Sequence, residues 1–248
     1  MPIITTDSPI WKLPQGLHPQ LQASFLDAIR LSVQFIDVTY LRLNEALTQL
    51  TLTTDRSLQL GPNALMDAWA IIDAVHRLRT LVRRLPRYKQ LDLKKLFMIK
   101  KLFMMRTVSV EQMRNSFQHL VGDLPELTDS DLPVLGALTW VRPVDRVGNV
   151  LSVHTFIPGQ LRSVHPASQV LVPSSVPEET TQVELWHGDK SANVSMLHSA
   201  VSDLVAALEI GLAKLASDNP EAPCDAMAEV HLKLLPVNSE SPSDSQAG

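Results

Sequence analysis

The sequence predicts a mainly α-helical chain: an antiparallel helical bundle carrying a small inserted β subdomain, α+β overall. Three patterns in its 248 residues predict this. Long stretches repeat apolar side chains every three or four positions, as one face of a helix requires. A central stretch replaces that period with short apolar runs broken by proline and glycine, which marks short strands. The first 17 residues and the closing VNSESPSDSQAG show no period at all, and the latter is too polar to bury anything.

Taken in order, residues 1–17 hold Pro2, Pro9 and Pro14 and are expected as an extended arm. From Pro19 to about Leu52 the residues Leu21, Phe25, Ala28, Ile29, Ile36, Leu43, Leu47 and Leu50 recur at helical spacing. After a connection at 53–63, a second helix is expected from Ala64 to Leu85, stopped by Pro86. Its Ile71, Ala74, Val75, Leu78, Leu81 and Val82 share one sector, while Asp73, His76, Arg77, Thr80, Arg83 and Arg84 share the opposite one. Residues 108–121 form a third helix ended by Gly122, and Ala192–Ser217 a fourth. Between these two, 134–190 is a β-rich insertion of three to five short strands. The bundle is thus 18–133 plus 191–217, and 218–248 holds one more strand, at 228–234, and a disordered tail.

Composition narrows the function classes. Apolar residues at 45% and charged ones at 19% suit a globular chain and exclude a fibrous one. The single cysteine, Cys224, excludes an internal disulfide framework and points to a reducing compartment. No G-x-G-x-x-G, G-x-x-x-x-G-K or G-x-S-x-G occurs, which argues against a nucleotide phosphate loop or a serine hydrolase. His18, His154, His165, His187, His198 and His231 show no metal-ligand spacing, so no metal or other cofactor is expected. The N-terminus lacks a basic start followed by an apolar core. The most apolar run, LFMIKKLFMM at 96–105, is split by Lys100 and Lys101. A cytoplasmic chain without a membrane partner is expected.

Charge is unevenly spread. Residues 77–106 hold eleven basic side chains against one acid, Asp92, leaving 11 cations and 25 acids elsewhere. Such a cluster in an acidic chain is the footprint of a polyanion. RNA is the expected ligand, held by Arg83, Arg84, Arg87, Lys89, Lys94, Lys95, Lys100, Lys101 and Arg106, with Tyr88, Phe97 and Phe103 placed to stack on bases. The alternatives are a solvated face, or a segment that meets anionic lipid or an acidic protein. KKLFM occurs at 94–98 and again at 100–104, a spacing of six that fits no helix face and reads as a local duplication.

The third helix carries the chemistry. In VEQMRNSFQHLVG the apolar stripe is Val110, Met113, Phe117, Leu120 and Val121. Asn115, Gln118 and His119 fall opposite it, with Arg114 at the stripe's edge and about 140° of wheel from His119 at 100° per residue. The arginine and histidine converge through a long side chain, or against the same motif of a second subunit. An imidazole that moves protons, a guanidinium that forks onto phosphate and an amide that orients either one suffice to activate a ribose 2′-hydroxyl. Asp73, His76 and Arg77 can line the same cleft, or form a plain Asp–Arg helix pair. The duller reading of the motif is a surface His–Asn pair, with Arg114 bridged to Glu111 or Asp123.

Arg114-Asn115-x₃-His119 on a late helix of a bundle resembles the Arg-x₄₋₆-His signature of HEPN (higher eukaryotes and prokaryotes nucleotide-binding) domains. That resemblance implies a dimeric helical bundle and a metal-independent endoribonuclease, of the kind found in toxin–antitoxin and phage-defence systems. Carried over, Arg114 and His119 are the catalytic pair and Asn115 the polar residue following the arginine. It also implies a homodimer and an antitoxin protein as partner. A tyrosine often follows two positions after the histidine in such toxins; here Val121 stands there. The competing expectation is a non-catalytic module that binds nucleic acid or a partner, either a degenerate HEPN domain or an antitoxin-complex component.

Overall fold

The computed structural model describes residues 3–5, 8, 13–14, 21–52, 59–84, 93–120, 122, 134–143, 151–158, 181–218 and 221–222. Helices dominate them: α1 (Leu21–Leu52), α2 (Leu60–Arg84), α3 (Leu93–Arg106), α4 (Ser109–Gln118) and α5 (Val194–Asp218). A four-stranded antiparallel sheet has the order β3 (Leu151–Phe156), β2 (Ala137–Pro143), β4 (Thr181–His187), β5 (Lys190–Asn193). A separate two-residue ladder joins β1 (Leu13–Pro14) to β6 (Glu221–Ala222). Leu13 and Pro14 of the N-terminal segment are therefore tied to the segment after α5. The N-terminal segment is also pinned further up, where the Ile3 amide donates to Asp37 Oδ2 at 2.8 Å. The strand expected at 228–234 lies outside the described residues.

At 32 residues α1 runs about 48 Å and needs a partner of like length, which α2 supplies. Ile29, Val33, Ile36, Leu43 and Leu47 of α1 meet Ile71, Ile72, Val75 and Leu78 of α2 in a core that also takes in Val110 and Met113 of α4. Leu138 and Trp140 of β2, Val183 and Leu185 of β4, and Leu197, Val201, Leu204 and Leu208 of α5 belong to the same cluster. The sheet thus closes over the helices without a core of its own. Gly61 marks one close approach: a Cβ there would stand 2.2 Å from the Phe156 ring of β3. By length and composition Val194–Ala213 of α5 could cross a membrane. Its Leu197, Val201, Leu204 and Leu208 line the core instead, and it carries Asp203 and Glu209.

Residues 93–106, expected only as part of a basic segment, form a helix. The period of six explains why the pattern hid it. Six residues turn a helix by about 240° beyond a full turn, so the two KKLFM copies face different ways. Phe97 is 65% exposed while Phe103 is 2% exposed in the core. Phe103 is therefore not available to stack on a base, and Tyr88 lies outside the described residues. The outward side of α3 carries Phe97, Met98, Leu102 and Met105 together with Lys101.

Candidate functional site

Although only ten residues long, α4 is the hub of the site because two of its flanks are occupied by different elements. On the α2 side the two helices meet in antiparallel steps. The rings of Trp69 and Phe117 lie 4.2 Å apart. One turn on, Arg114 Nε donates to Asp73 Oδ1 at 3.2 Å, and Arg114 Nη1 lies 3.4 Å from His76 Nε2. Further along, Glu111 accepts from Arg83 at 2.6 Å and pairs with Arg79 at 3.2 Å. The α2 set singled out in the sequence, Asp73 and His76, thus meets Arg114 directly. Arg77 is exposed, and Glu111 is bound to α2 rather than to Arg114.

The Arg114–His76 contact constrains the imidazole. A guanidinium only donates, so Nε2 accepts and the ring proton sits on Nδ1, which is buried and has no partner among the described residues. Burial, then the positive charge of Arg114, pushes the His76 pKa below 6.5, with Glu111 and Asp73 opposing and Arg79 assisting. His76 is a neutral ring that holds Arg114 in place. Of the guanidinium nitrogens, Nη2 of Arg114 makes no hydrogen bond among the described residues. One edge of the cation stays open.

On its other flank α4 faces the β4–β5 hairpin. This turn has two residues, Gly188 and Asp189, and Gly188 takes φ +59°, the positive value that the first position of a II′ turn requires. The hairpin sets Lys190 opposite His187, which is fully buried beside Trp69 and Phe117. Gln112, Asn115 and Ser116 of α4, and His119 at its C-terminal cap, then line a shallow pocket of about 590 Å³ with Asp189 and Lys190. Lys190 Nζ donates to Ser116 Oγ at 3.3 Å. Asn115 and His119 are exposed, and their side chains make no hydrogen bond among the described residues. So Asn115 and His119 share one flank of the helix and Arg114 occupies another, as their wheel positions dictate.

The basic side chains divide in the same way. Arg79 is buried, 3% exposed, and donates to the Met104 carbonyl and the Thr107 hydroxyl. Arg106 pairs with Asp203 and Ser199 of α5, and Lys100 donates to the Arg83 carbonyl at 2.6 Å, at the end of α2. Arg77, Arg84 and Lys101 are exposed and have no partner among the described residues. Arg87 and Lys89, and the side chains of Lys94 and Lys95, lie outside those residues. Among them, no three His, Cys, Asp or Glu side chains are placed to share a metal ion.

Lys190, Asp189 and Ser116 were not singled out in the sequence. Nothing in a turn Gly-Asp-Lys some seventy residues after α4 announces that it lands beside His119; that follows from the sheet closing back over the helix. Compared with family models, curated proteins and solved structures, the chain matches none.

Proposed function

We propose that this chain is a metal-independent endoribonuclease of HEPN type, acting in the cytoplasm as a homodimer in toxin–antitoxin or phage defence, with an antitoxin protein as its regulator. The observation that carries the reading is the contrast along α4. Glu111, Arg114 and Ser116 are all engaged by neighbours, whereas Asn115 and His119, four residues apart, face solvent without a partner among the described residues. A helix that holds its charged side chains against neighbours and leaves an amide and an imidazole open in one pocket is arranged for an outside ligand.

In the proposed reaction His119 takes the 2′-hydroxyl proton as that oxygen bonds to phosphorus. The P–O5′ bond breaks, and the proton passes from His119 to the leaving 5′-oxygen. The products are a 2′,3′-cyclic phosphate and a 5′-hydroxyl. Asn115 orients the reacting groups, and the open edge of Arg114 stabilises the crowded phosphorane, in the same chain or across a dimer cleft. Asp73 and His76 hold Arg114. Arg77, Arg84 and Lys101, joined by Arg83, Arg87, Lys89, Lys94, Lys95, Lys100 and Arg106, guide the RNA backbone. Support for a second copy comes from α1, whose outward Leu31, Phe35, Val38 and Leu41 form an exposed apolar stripe in which the single charge between positions 31 and 41, Asp37, is buried.

A second reading, a non-catalytic module that binds nucleic acid or a partner, is favoured by the position of Arg114, which in the single chain is turned toward α2 and away from the His119 flank. Metal-free protein mixed with labelled RNA in chelator separates the two. Cleavage leaving cyclic phosphate ends, abolished by His119→Ala, is the expected result. Equal cleavage by wild type and variant overturns the nuclease reading. Salt-sensitive RNA binding without cleavage establishes the second reading.

A further inference from the structure

The pocket on the His119 flank has its own cation, and it comes from the sheet. Arg114 is held to α2 through Nε and Nη1 and is not among the lining residues Gln112, Asn115, Ser116, His119, Asp189 and Lys190. Among the described residues, Lys190 is the one lysine or arginine in that lining. Its ammonium group has three donors. One is directed at Ser116 Oγ at 3.3 Å, and the nearest carboxylate oxygen, on the largely exposed Asp189, stands 3.9 Å away. At least one donor is therefore left for a ligand. The II′ turn and the pairing with buried His187 fix where the lysine starts, so the ammonium is held in place before any ligand arrives.

We propose that Lys190 is a phosphate-binding residue, and that the pocket between α4 and the β4–β5 hairpin recognises a phosphate group presented to His119. The inference deepens the nuclease reading and rests on it for the identity of the phosphate as an RNA phosphodiester. It gives the sheet a role that the helical motif alone does not contain. Lys190 Nζ and the Asn115 amide donate to non-bridging oxygens, which brings the ester within reach of the imidazole. Asp189 opposes the anion, so it tunes affinity downward.

The test uses the full chain with inorganic phosphate and with an uncleavable 2′-deoxy dinucleotide, following the His119 ring resonances by NMR. Wild type is expected to show saturable shifts at His119. Lys190→Gln should weaken both ligands by about tenfold, the loss of one charged contact. Lys190→Arg should restore most of the affinity, and Asp189→Asn should improve it. Shifts that are absent in wild type, or equal in wild type and Lys190→Gln, overturn the proposal. The two readings also fail separately. Cleavage that needs His119 but is indifferent to Lys190→Gln overturns the phosphate assignment and leaves the nuclease standing. Phosphate titration that depends on Lys190, in a protein that cleaves nothing, supports the pocket and overturns the nuclease.

Discussion

Replacing Arg79 by Met tests whether the α2–α4 contact rests on a buried cation or on its surface charges. Arg79 is 3% exposed and makes three interactions: the Met104 carbonyl at 2.8 Å, the Thr107 hydroxyl, and Glu111 at 3.2 Å. Met keeps most of the stem's packing and removes the donors. Glu111 retains Arg83 and is more than a third exposed, so its loss is small, at most about 1 kcal/mol. Thr107 still donates to the Phe103 carbonyl at 2.7 Å. The Met104 carbonyl is the serious loss: it lies in the last turn of α3, where carbonyls have no helical partner and the dipole favours a cation. A hydrogen bond to a charged group contributes about 1.5–3 kcal/mol. Arg79 Nε is itself buried without a partner among the described residues, a cost the substitution relieves, so the net expectation is about 2–3 kcal/mol. Urea unfolding should show a lower midpoint at unchanged slope, whereas Arg83→Ala, at an exposed pair, should lose less than about 1 kcal/mol. Equal small losses for the two would mean that the buried guanidinium does not organise this contact.

Two further outcomes follow from the same geometry. The Asn193 side chain accepts the Met196 amide at 2.8 Å and caps α5, so Asn193→Ala should lower stability by about 1 kcal/mol in the same urea assay while Asn193→Asp leaves it nearly unchanged. Stability should also fall as pH drops below 6.5. Burial is the first cause lowering the pKa values of His76, His154 and His198 from that value, with Asp37 opposing it at His198. Below 6.5 the unfolded chain therefore binds protons that the folded chain refuses; above it these groups contribute nothing. Glu209, raised by burial, acts in the opposite sense: its contribution is full below 4.5 and is lost as pH rises through its folded value. The melting temperature at pH 5.5 should lie below that at pH 7.5, and an unchanged or higher value would contradict the burial of these rings.

Much of the fold could be read from the sequence because α1, α2 and α5 are long and bury one face each, so that Ile29, Ile36, Leu43 and Leu47 repeat as a helix must. The same logic failed at α3. Half of that helix is outward and still apolar, with Met98, Leu102 and Met105 exposed, so no contrast between faces was there to detect. At the site, the separation of Arg114 from Asn115 and His119 was visible as wheel angle, and the approach of Asp73 and His76 to α4 followed from both helices presenting polar faces. Charge misled where it was counted without burial. Arg79 sits in the basic run, yet it is a core residue that caps a helix. Lys190 was invisible for a different reason: its place beside His119 depends on long-range closure of the sheet.

These contacts make the two flanks of α4 separable. On the α2 flank Glu111 and Arg114 are both held by partners, and burial, then the charge of Arg114, keeps His76 neutral. Changes there act through the rigidity of α4 and the aim of the Arg114 edge. On the hairpin flank Asn115 and His119 are open and the nearest cation is tethered by Ser116, so changes there act on a ligand directly. Asp73→Asn and Lys190→Gln therefore divide any activity found into different parts. The first loosens a guanidinium held between two helices and shows in the turnover number. The second removes a phosphate contact and shows in the binding of uncleavable analogues as well. Because both groups act on the phosphate attacked at His119, their effects on turnover should be coupled in the double variant, and strict additivity would place Arg114 and Lys190 on different phosphates.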